Sequence, residues 1–460
     1  MNPTTQPITP PNIVLVNCDD LGYGDLGCYG STRNPTPALD RLAAEGCRFT
    51  DFYMASPVCS PSRGAMMTGC YPPRIGFGDF DGRWVLFPGM ACGLNPEEIA
   101  VARLLKRAGY ATRLVGKWHC GDQKPFLPTH HGFDGYFGLP YSNDMGRQQP
   151  DDDYPPLPLI RGDDVIQQQP DQAALTERYV EDSVRFMREN RDRPFFLYLA
   201  HMHVHLPIFT PDRFMRESTN GRYGAGVMAI DWAMDAILDE LARLGLEDNT
   251  LVIFTSDNGS RASGEGGSND PLRGTKGTTW EGGMRVPCIA RWPGRIPPGS
   301  TCRGLATAMD FYPTFAKLAG VKLPDDRTID GRDLSGTLFS GGESPSPHEL
   351  FFYYRANNLE AVRDTRWKLH VRKKDEVIRE LYDLEADPGE TMDLADHNPE
   401  VVERLTAAIA RCRHDLGDDA EGIAGDNVRP HGRVSNPDTL THYDPTHPYI
   451  MAMYDLQDRG

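Results

Sequence analysis

The stretch Asn12–Asp20, with the sequence NIVLVNCDD, decides the fold of this chain. It begins with a short apolar and β-branched run and ends in two adjacent carboxylates, Asp19 and Asp20. Continuous runs of this kind are typical of strands that are buried on both faces of a parallel sheet. Ligands collect at the carboxyl ends of such strands. The stretch therefore predicts an α/β fold with a functional site directly after this strand.

The paired carboxylates point to a metal. They repel each other unless a cation lies between them, although a solvent-exposed Asp-Asp turn is the alternative, because Asp is common in turns. A second apolar run, Thr250–Thr255, leads to Asp257 and Asn258. Three carboxylates and one amide oxygen form an oxygen-only site, which suits Ca²⁺ or Mg²⁺ rather than zinc.

Basic side chains follow two further predicted strands. Tyr110–Val115 leads to Lys117 and His119, and Pro194–Ala200 leads to His201, His203 and His205. In an extended chain, alternate residues share one side, so the three histidines are expected to face the same way. At least one of them is interpreted as functional and the others as packing or hydrogen-bonding residues. A helix is predicted at Glu97–Ala108, and another strand at Val286–Ala290.

The segment Val58–Gly69, VCSPSRGAMMTG, predicts a helix with a reactive N-terminus. Pro61 fits the first turn, where its missing N–H has no intrahelical partner, and Gly69 ends the helix. Cys59 then lies where free N–H groups favour anions, and Arg63, one turn further on, can reach the same point. The alternative is a buried Cys in front of an ordinary helix.

Composition narrows the class of protein. The 460 residues carry a net charge of −17, which argues against nucleic acid or an anionic membrane surface as a partner. The N-terminus lacks the regions of a signal peptide, and no run approaches the ~20 apolar residues of a membrane span. The ten cysteines include no C-x-x-C pair. We therefore expect reduced thiols and a cytoplasmic, bacterial protein.

Changes in strand length, turn residues and composition along the chain predict three parts. Residues 1–335 form a catalytic domain, 336–416 a smaller subdomain, and 417–460 a tail that packs on the body. The second part has short strands with tight turns, typical of an antiparallel sheet, and an amphipathic helix at Val401–Leu416. Residues 147–172 are polar and predicted as a surface excursion. Residues 72–96 carry Phe77, Phe80, Trp84 and Phe87 and are predicted as a rim loop of the substrate pocket.

The pattern Cys59-x-Pro61-Ser62-Arg63-x4-Thr68-Gly69 resembles the signature of the type I, formylglycine-dependent sulfatases. The segments DDLGYGDLGCYG, VGKWHCG, LPYSND, PFFLYLAHMHVHLP, LVIFTSDNG and KGTTWEGGMRVP are similar to those of arylsulfatase A and the N-acetylgalactosamine-6-sulfatases, in the same order. The resemblance runs from Asn12 to about Arg413. It implies an alkaline-phosphatase-like α/β fold: a large, mostly parallel sheet flanked by helices, with a smaller C-terminal antiparallel sheet plus helix.

The resemblance also implies roles. Cys59 would be oxidised to formylglycine by a formylglycine-generating enzyme, and its hydrate would attack the sulfur of a sulfate ester. The implied metal is Ca²⁺, with Mg²⁺ possible. The implied metal ligands are Asp19, Asp20, Asp257 and Asn258. Arg63 would stabilise the hydrate, and the sulfate would be contacted by Lys117, Lys276 and Ser142. His119 and His205 would transfer protons. The family pattern places the working histidine one residue before an x-Pro step, as in His205-Leu206-Pro207, and leaves His203 as the runner-up.

Two alternatives to an arylsulfatase-like enzyme remain. One is a phosphonate monoester or phosphodiester hydrolase of the same superfamily. The other is a non-catalytic anion-binding protein in which Cys59 is never converted, although binding alone needs no paired acid and base. The sequence leaves the alcohol half of the ester and the oligomeric state open.

Overall fold

The computed structural model describes residues 10–148 and 152–449. Its strands are β1 (Asn12–Cys18), β2 (Cys47–Phe49), β3 (Phe52–Tyr53), β4 (Cys92–Gly93), β5 (Ala111–Gly116), β6 (Gly135–Gly138), β7 (Pro158–Arg161), β8 (Asp164–Gln168), β9 (Phe195–Ala200), β10 (Thr250–Ser256), β11 (Cys288–Arg291), β12 (Ser300–Cys302), β13 (Ala306–Thr307), β14 (Phe351–Arg355), β15 (Asn358–Arg363), β16 (Trp367–Lys373), β17 (Glu376–Asp383) and β18 (Gly432–Arg433). Its α-helices are α1 (Pro37–Ala44), α2 (Cys59–Thr68), α3 (Val101–Lys106), α4 (Leu175–Glu189), α5 (Asp212–Glu217), α6 (Gly221–Arg243), α7 (Glu281–Met284), α8 (Phe311–Leu318), α9 (Ser335–Phe339) and α10 (Pro399–Leu416).

The large sheet has the order β12-β2-β11-β10-β1-β9-β5-β6-β7-β8 within the described residues. Its centre is parallel: β1 pairs with β10 on one side and β9 on the other, and β9 pairs with β5. The four strands with polar residues after their carboxyl ends are therefore adjacent, in the order β10-β1-β9-β5. The predicted strand at Val286–Ala290 begins at Cys288 and runs antiparallel to β10.

Strand β1 is buried on both faces, which explains its uninterrupted apolar sequence. Ile13 and Leu15 pack into one core cluster, together with residues of α2, α3 and α8. Val14 and Val16 pack into another, together with residues of α1, α4 and α6. Helices thus cover both faces of the sheet, which leaves the strand ends as the natural place for a site.

The C-terminal part forms a separate antiparallel sheet, β14-β15-β16-β17, against which α10 packs. Its core includes Tyr53, Ala65 and Met284 of the body, so the two sheets are held together by a shared apolar cluster. The buried amine of Lys368 also crosses this boundary, 2.9 Å from Glu281 and 3.0 Å from Glu390. The mostly parallel sheet with a smaller antiparallel sheet and helix is the predicted fold class.

Residues 417–449 lie along the body. Strand β18 pairs with β4, Arg429 forms an ion pair with Glu98 at 2.6 Å, and the amide of Asp438 donates to Gln123. The tail beyond residue 449 lies outside the described residues. Among the helices that the structure describes, none is long and apolar enough to cross a membrane.

Three local expectations were wrong. Residues 152–172 are not a plain excursion, because β7 and β8 extend the large sheet at its edge. The helix predicted over Glu97–Ala108 is only α3, because a turn closed by the Glu98 amide and the Asn95 carbonyl oxygen precedes it and the helix begins at Val101. Strand β9 ends at Ala200 and the chain turns, so the three histidines do not follow an extended strand.

Candidate active site

Helix α2 places Cys59 at the centre of the strand ends. The residue before the helix, Val58, is extended (φ −141°), and Gly69 ends the helix in a left-handed conformation (φ 71°). The Cys59 thiol lies 3.7 Å from Asp19 Oδ1. Burial raises the pKa of this thiol far above its ordinary value. An unmodified Cys59 would therefore be a poor nucleophile, because the thiolate is the reactive form.

Three carboxylates meet beside Cys59. Oxygens of Asp19, Asp20 and Asp257 lie within 4.8 Å of one another, and all three residues are buried. Asn258 donates from Nδ2 to Asp20 Oδ1 at 2.7 Å. Its Oδ1 is buried and has no hydrogen-bond partner among the described residues. A spare amide oxygen next to three carboxylates is the donor set of a hard divalent cation, so these four residues fit the predicted metal.

Three cations balance the three acids. Arg63 donates from Nε to Asp257 Oδ2 at 2.9 Å, and its Nη2 lies 3.6 Å from Asp19 Oδ2. Lys117 contacts Asp19 Oδ2 at 2.5 Å, and Lys276 contacts Asp20 Oδ2 at 2.9 Å. With a divalent ion added the cluster would carry a net positive charge, which gives an acidic protein a local anion site.

The charges also set the acidities of the carboxyls. Burial opposes ionisation of Asp20, but Lys276 and His205 outweigh it and hold the pKa below its usual range. Burial and the neighbouring Asp19 raise the pKa of Asp257 to about 6. Asp19 and Asp257 still repel each other, and a divalent cation between them would relieve this repulsion.

Lys117 anchors a polar contact that the sequence also predicted. Its amine donates to Ser142 Oγ at 2.6 Å as well as to Asp19. Although burial disfavours a charged amine, Asp19 raises the pKa of Lys117. The side chains of Lys117 and Asp19 are each only 1% exposed. The amine is therefore a fixed, desolvated positive charge beside Cys59.

His119 presents one free ring nitrogen. Its Nε2 lies 2.9 Å from the carbonyl oxygen of Leu86, which can only accept, so Nε2 carries the hydrogen. Nδ1 is left without a partner among the described residues. Burial and Lys117 lower the pKa of His119 well below its usual value, so the ring is neutral. The backbone of His119 is left-handed (φ 57°), as is that of Asp20 (φ 60°), and such strain in non-glycine residues is concentrated at functional sites.

His205 is the histidine that joins the cluster. Its Nδ1 donates to the Leu206 carbonyl oxygen at 2.6 Å, and Nε2 lies 3.9 Å from Asp20 Oδ2. Ligand atoms of Asp19, Cys59 and His205 all lie within 4.8 Å of one another. Burial and Lys276 lower the pKa of His205 to about 4. His201 and His203 are buried, and their ring nitrogens have no partners within the described part of the chain.

Two further contacts hold the site together and were not predicted from the sequence. The Ser60 hydroxyl accepts from the amide of Leu86 at 3.1 Å, so that residue's backbone links the nucleophile helix to His119. The Ser62 hydroxyl donates to the Asp257 carbonyl oxygen at 2.5 Å. A backbone group has no residue-type signature, but Ser62 lies inside the conspicuous motif and could have been found there.

The aromatic residues of the predicted rim loop differ in burial. Phe77 and Phe80 are fully buried and pack edge to face, 4.9 Å apart, so the expectation that they shape the pocket was wrong. Phe87 is half-buried. Trp84 is 42% exposed and is the aromatic side chain of this loop that faces solvent.

Comparisons with known proteins fit this geometry. The sulfatase family model matches residues 11–321, more than half of the chain, and the model of the N-sulphoglucosamine sulphohydrolase C-terminal region matches residues 275–415. Human arylsulfatase A is 41% identical over 444 residues, covering 86% of both chains. Rat N-acetylgalactosamine-6-sulfatase is 43% identical over 385 residues, covering 79% of this chain and 71% of that protein.

Among solved structures, that of Ps i-CgsB in complex with k-i-k-neocarrahexaose is 31% identical, with a TM-score of 0.79, and covers 88% of this chain and 92% of that one. The site and the curated relatives thus define a sulfate ester hydrolase, and the solved structures show the alkaline-phosphatase-like fold. The chain belongs to the sulfatase family.

Proposed function

We propose that the enzyme cleaves sulfate monoesters of the arylsulfatase type with a formylglycine that derives from Cys59, and that it uses Ca²⁺, or alternatively Mg²⁺. The observation that carries the proposal is the position of the Cys59 side chain. It lies against Asp19 and within 4.8 Å of His205, inside a buried cluster of three carboxylates and three cations. A structural cysteine has no need of these charged neighbours.

Each buried group has a task in this proposal. Formylglycine, as a hydrated aldehyde, would supply the hydroxyl that attacks sulfur, and the cation would supply charge stabilisation at that hydroxyl. The cation would be held by Asp19, Asp20, Asp257 and Asn258. The positive ends of Lys117 and Lys276 would orient the sulfate oxygens, with Ser142 beside Lys117. Arg63 is fixed by Asp257 and would stabilise negative charge that develops next to residue 59.

The two histidines would handle protons at opposite ends of the reaction. His119 has an unprotonated Nδ1 without a hydrogen-bond partner among the described residues, and this nitrogen can accept a proton from the hydroxyl group at residue 59. His205 exposes Nε2 and would donate a proton to the departing alcohol oxygen once this nitrogen is protonated. The negative charge of a bound sulfate ester would favour that protonated form.

The proposal is tested on residue 59 itself. Mass spectrometry of the peptide that contains Cys59 should show a loss of about 18 Da, because CHO replaces CH₂SH in the nucleophile. The expected partner for this step is a formylglycine-generating enzyme, so co-expression with one should raise the converted fraction and turnover of 4-nitrophenyl sulfate together.

Cys59→Ala should abolish this turnover, because the side chain is a reactant, and should leave the melting temperature close to that of the parent. More than a few per cent of residual activity would contradict the nucleophile assignment and favour a metal-activated water. Ser142→Ala is the matched control. It removes a polar contact of the site but keeps the reactant, so it should retain measurable turnover. Faster turnover of an aryl phosphonate than of the aryl sulfate would favour the phosphonate hydrolase alternative.

A further inference from the structure

Of seven charged or basic side chains in the site, that of Lys276 is the most exposed. The side chains of Asp19, Asp20, Arg63, Lys117, His205 and Asp257 are at most 4% exposed. The side chain of Lys276 is 15% exposed. We infer that a sulfate ester reaches the site past Lys276 and that its alcohol half stays near this residue when the sulfate is bound.

Trp84 stands beside this opening. Its ring lies 3.8 Å from the point that a Cβ on Gly277 would occupy, and Gly277 directly follows Lys276. Both loops are held by hydrogen bonds to the start of the nucleophile helix. The amide of Gly277 donates to the Pro57 carbonyl oxygen at 2.9 Å, and the amide of Leu86, two residues after Trp84, donates to the Ser60 hydroxyl. An exposed indole is thus held at a defined place next to the site entrance.

Arg355 approaches the same point from the C-terminal sheet. Its guanidinium carbon lies 3.8 Å from the centre of the Trp84 ring, and its Nε donates to the Gly277 carbonyl oxygen at 3.3 Å. Among the described residues it forms no ion pair with a carboxylate, so its two terminal nitrogens keep their donors for another group. Stacking on Trp84 orients these donors before any ligand arrives.

We propose that Trp84 and Arg355 form a recognition platform for the alcohol half of the substrate, and that this half is an acidic saccharide. The inference rests on the proposed function of the site. A sugar ring next to the scissile sulfate would pack an apolar face against the indole, and a second anionic group on it or on the next ring, a carboxylate or another sulfate, would bind the guanidinium. An indole offers area for a ring, and a guanidinium binds carboxylate and sulfate through paired hydrogen bonds.

Binding can be measured without turnover in protein that carries Cys59→Ala. The probes are a disaccharide of one uronic acid and one sulfated hexosamine, and the same disaccharide after reduction of its carboxyl to an alcohol. Calorimetry should give the acidic form a Kd about five- to tenfold lower, in the range expected of one charge-assisted contact. Arg355→Gln in this background should bring the two Kd values together.

Trp84→Ala should weaken both disaccharides by about five- to tenfold, and Trp84→Phe should restore most of the binding because it keeps an aromatic face. Arg366→Gln is the matched control. Arg366 also stacks on a tryptophan, Trp367, at 4.9 Å. It lies in the turn after strand β15, whereas Arg355 pairs with the first residue of that strand, so the two are ~20 Å apart by the rise of a strand. The Arg366→Gln variant should keep the preference for the acidic form.

Three results would overturn the platform: equal binding of the two disaccharides by the Cys59→Ala protein, an unchanged preference when Arg355→Gln is added to it, or unchanged binding when Trp84→Ala is added. Failure of the proposed function would look different. It would appear as an unconverted Cys59 and no turnover of 4-nitrophenyl sulfate by the enzyme, neither of which depends on Trp84 or Arg355 being a saccharide platform.

Discussion

Two backbone carbonyls decide what the site histidines can do. Leu86 accepts from Nε2 of His119, and Leu206 accepts from Nδ1 of His205. Because a carbonyl oxygen cannot donate, each contact fixes the tautomer of the neutral ring and leaves the other nitrogen free. The two imidazoles therefore leave different ring nitrogens free, Nδ1 in His119 and Nε2 in His205, which suits separate base and acid roles.

If His205 is the general acid, its removal should matter most for esters with poor leaving groups. His205→Ala should lower kcat/KM for an alkyl sulfate by about 10²–10⁴-fold. The loss for 4-nitrophenyl sulfate should be much smaller, because nitrophenolate leaves with little need of a proton. His203→Ala is the control and should affect both esters equally. Equal losses in His205→Ala would mean that this residue only positions substrate, and a selective loss in His203→Ala would reassign the role.

At the scale of elements, the site joins strands that are far apart in sequence. Asp19 and Asp20 follow β1, whereas Asp257 and Asn258 follow β10, and the two strands are paired from Asn12↔Thr250 to Cys18↔Ser256. A cation held by residues from both ends would tie the strands together. Ligands that bind only the folded state stabilise it, by about 2.7 kcal/mol at a concentration a hundredfold above Kd.

Calcium should therefore raise the melting temperature of the purified enzyme, and a chelator should lower both melting temperature and activity. Asp257→Ala should lose the calcium-dependent shift, because one of four proposed ligands is gone. The control is Asp25→Asn. Asp25 is also buried near β1, but it accepts from the Gly22 amide and Tyr223 and takes no part in the metal cluster. Zinc in stoichiometric amount, instead of calcium or magnesium, would contradict the oxygen-ligand argument.

Local sequence predicted the strand ends well because burial on both faces leaves a plain apolar signal, as in β1 and β9. The path after β9 could not be predicted in this way. There the Asp19 amide donates to the His203 carbonyl oxygen at 2.9 Å, and the Val204 amide donates to the Asp19 carbonyl oxygen at 2.6 Å. These bonds depend on β1 lying alongside, so no periodicity in the segment itself encodes them. Strand β8 lies at the edge of the sheet and has no fully buried residue, so its sequence also lacks the continuous apolar run by which a strand could be predicted.

Over the whole molecule, buried neutral histidines make stability depend on pH. Burial and Arg103 lower the pKa of His131 to about 3, and its ring packs 5.7 Å from that of Trp118. In the unfolded chain its pKa is about 6.5. Since the folded pKa is the lower one, the unfolded state binds the extra proton, and stability falls as pH drops from about 6.5 towards 3.

His131→Phe should flatten this dependence, because phenylalanine keeps the ring contact and cannot take up a proton. The free energy of unfolding, measured by urea denaturation at pH 7 and pH 5, should fall less in the variant. The expected difference is up to about 1.4 kcal/mol per pH unit for one group. Phe133→Leu, a neighbouring core change without a titratable group, should keep the parent's pH dependence. An unchanged dependence in His131→Phe would show that other groups govern it.

The pairing of β18 with β4 has a consequence for biosynthesis. The loop that carries Trp84 and Leu86 is held from outside by late parts of the chain: Arg433 forms an ion pair with Asp81 at 2.5 Å, and His431 Nδ1 lies 3.2 Å from the Gly76 carbonyl oxygen. A ribosome has already made the strands, the nucleophile helix and the metal-binding aspartates long before these residues emerge. The growing chain can therefore form the cluster of active-site side chains first. The loop that carries Trp84 gains its contacts with Arg433 and His431 only when translation is nearly over.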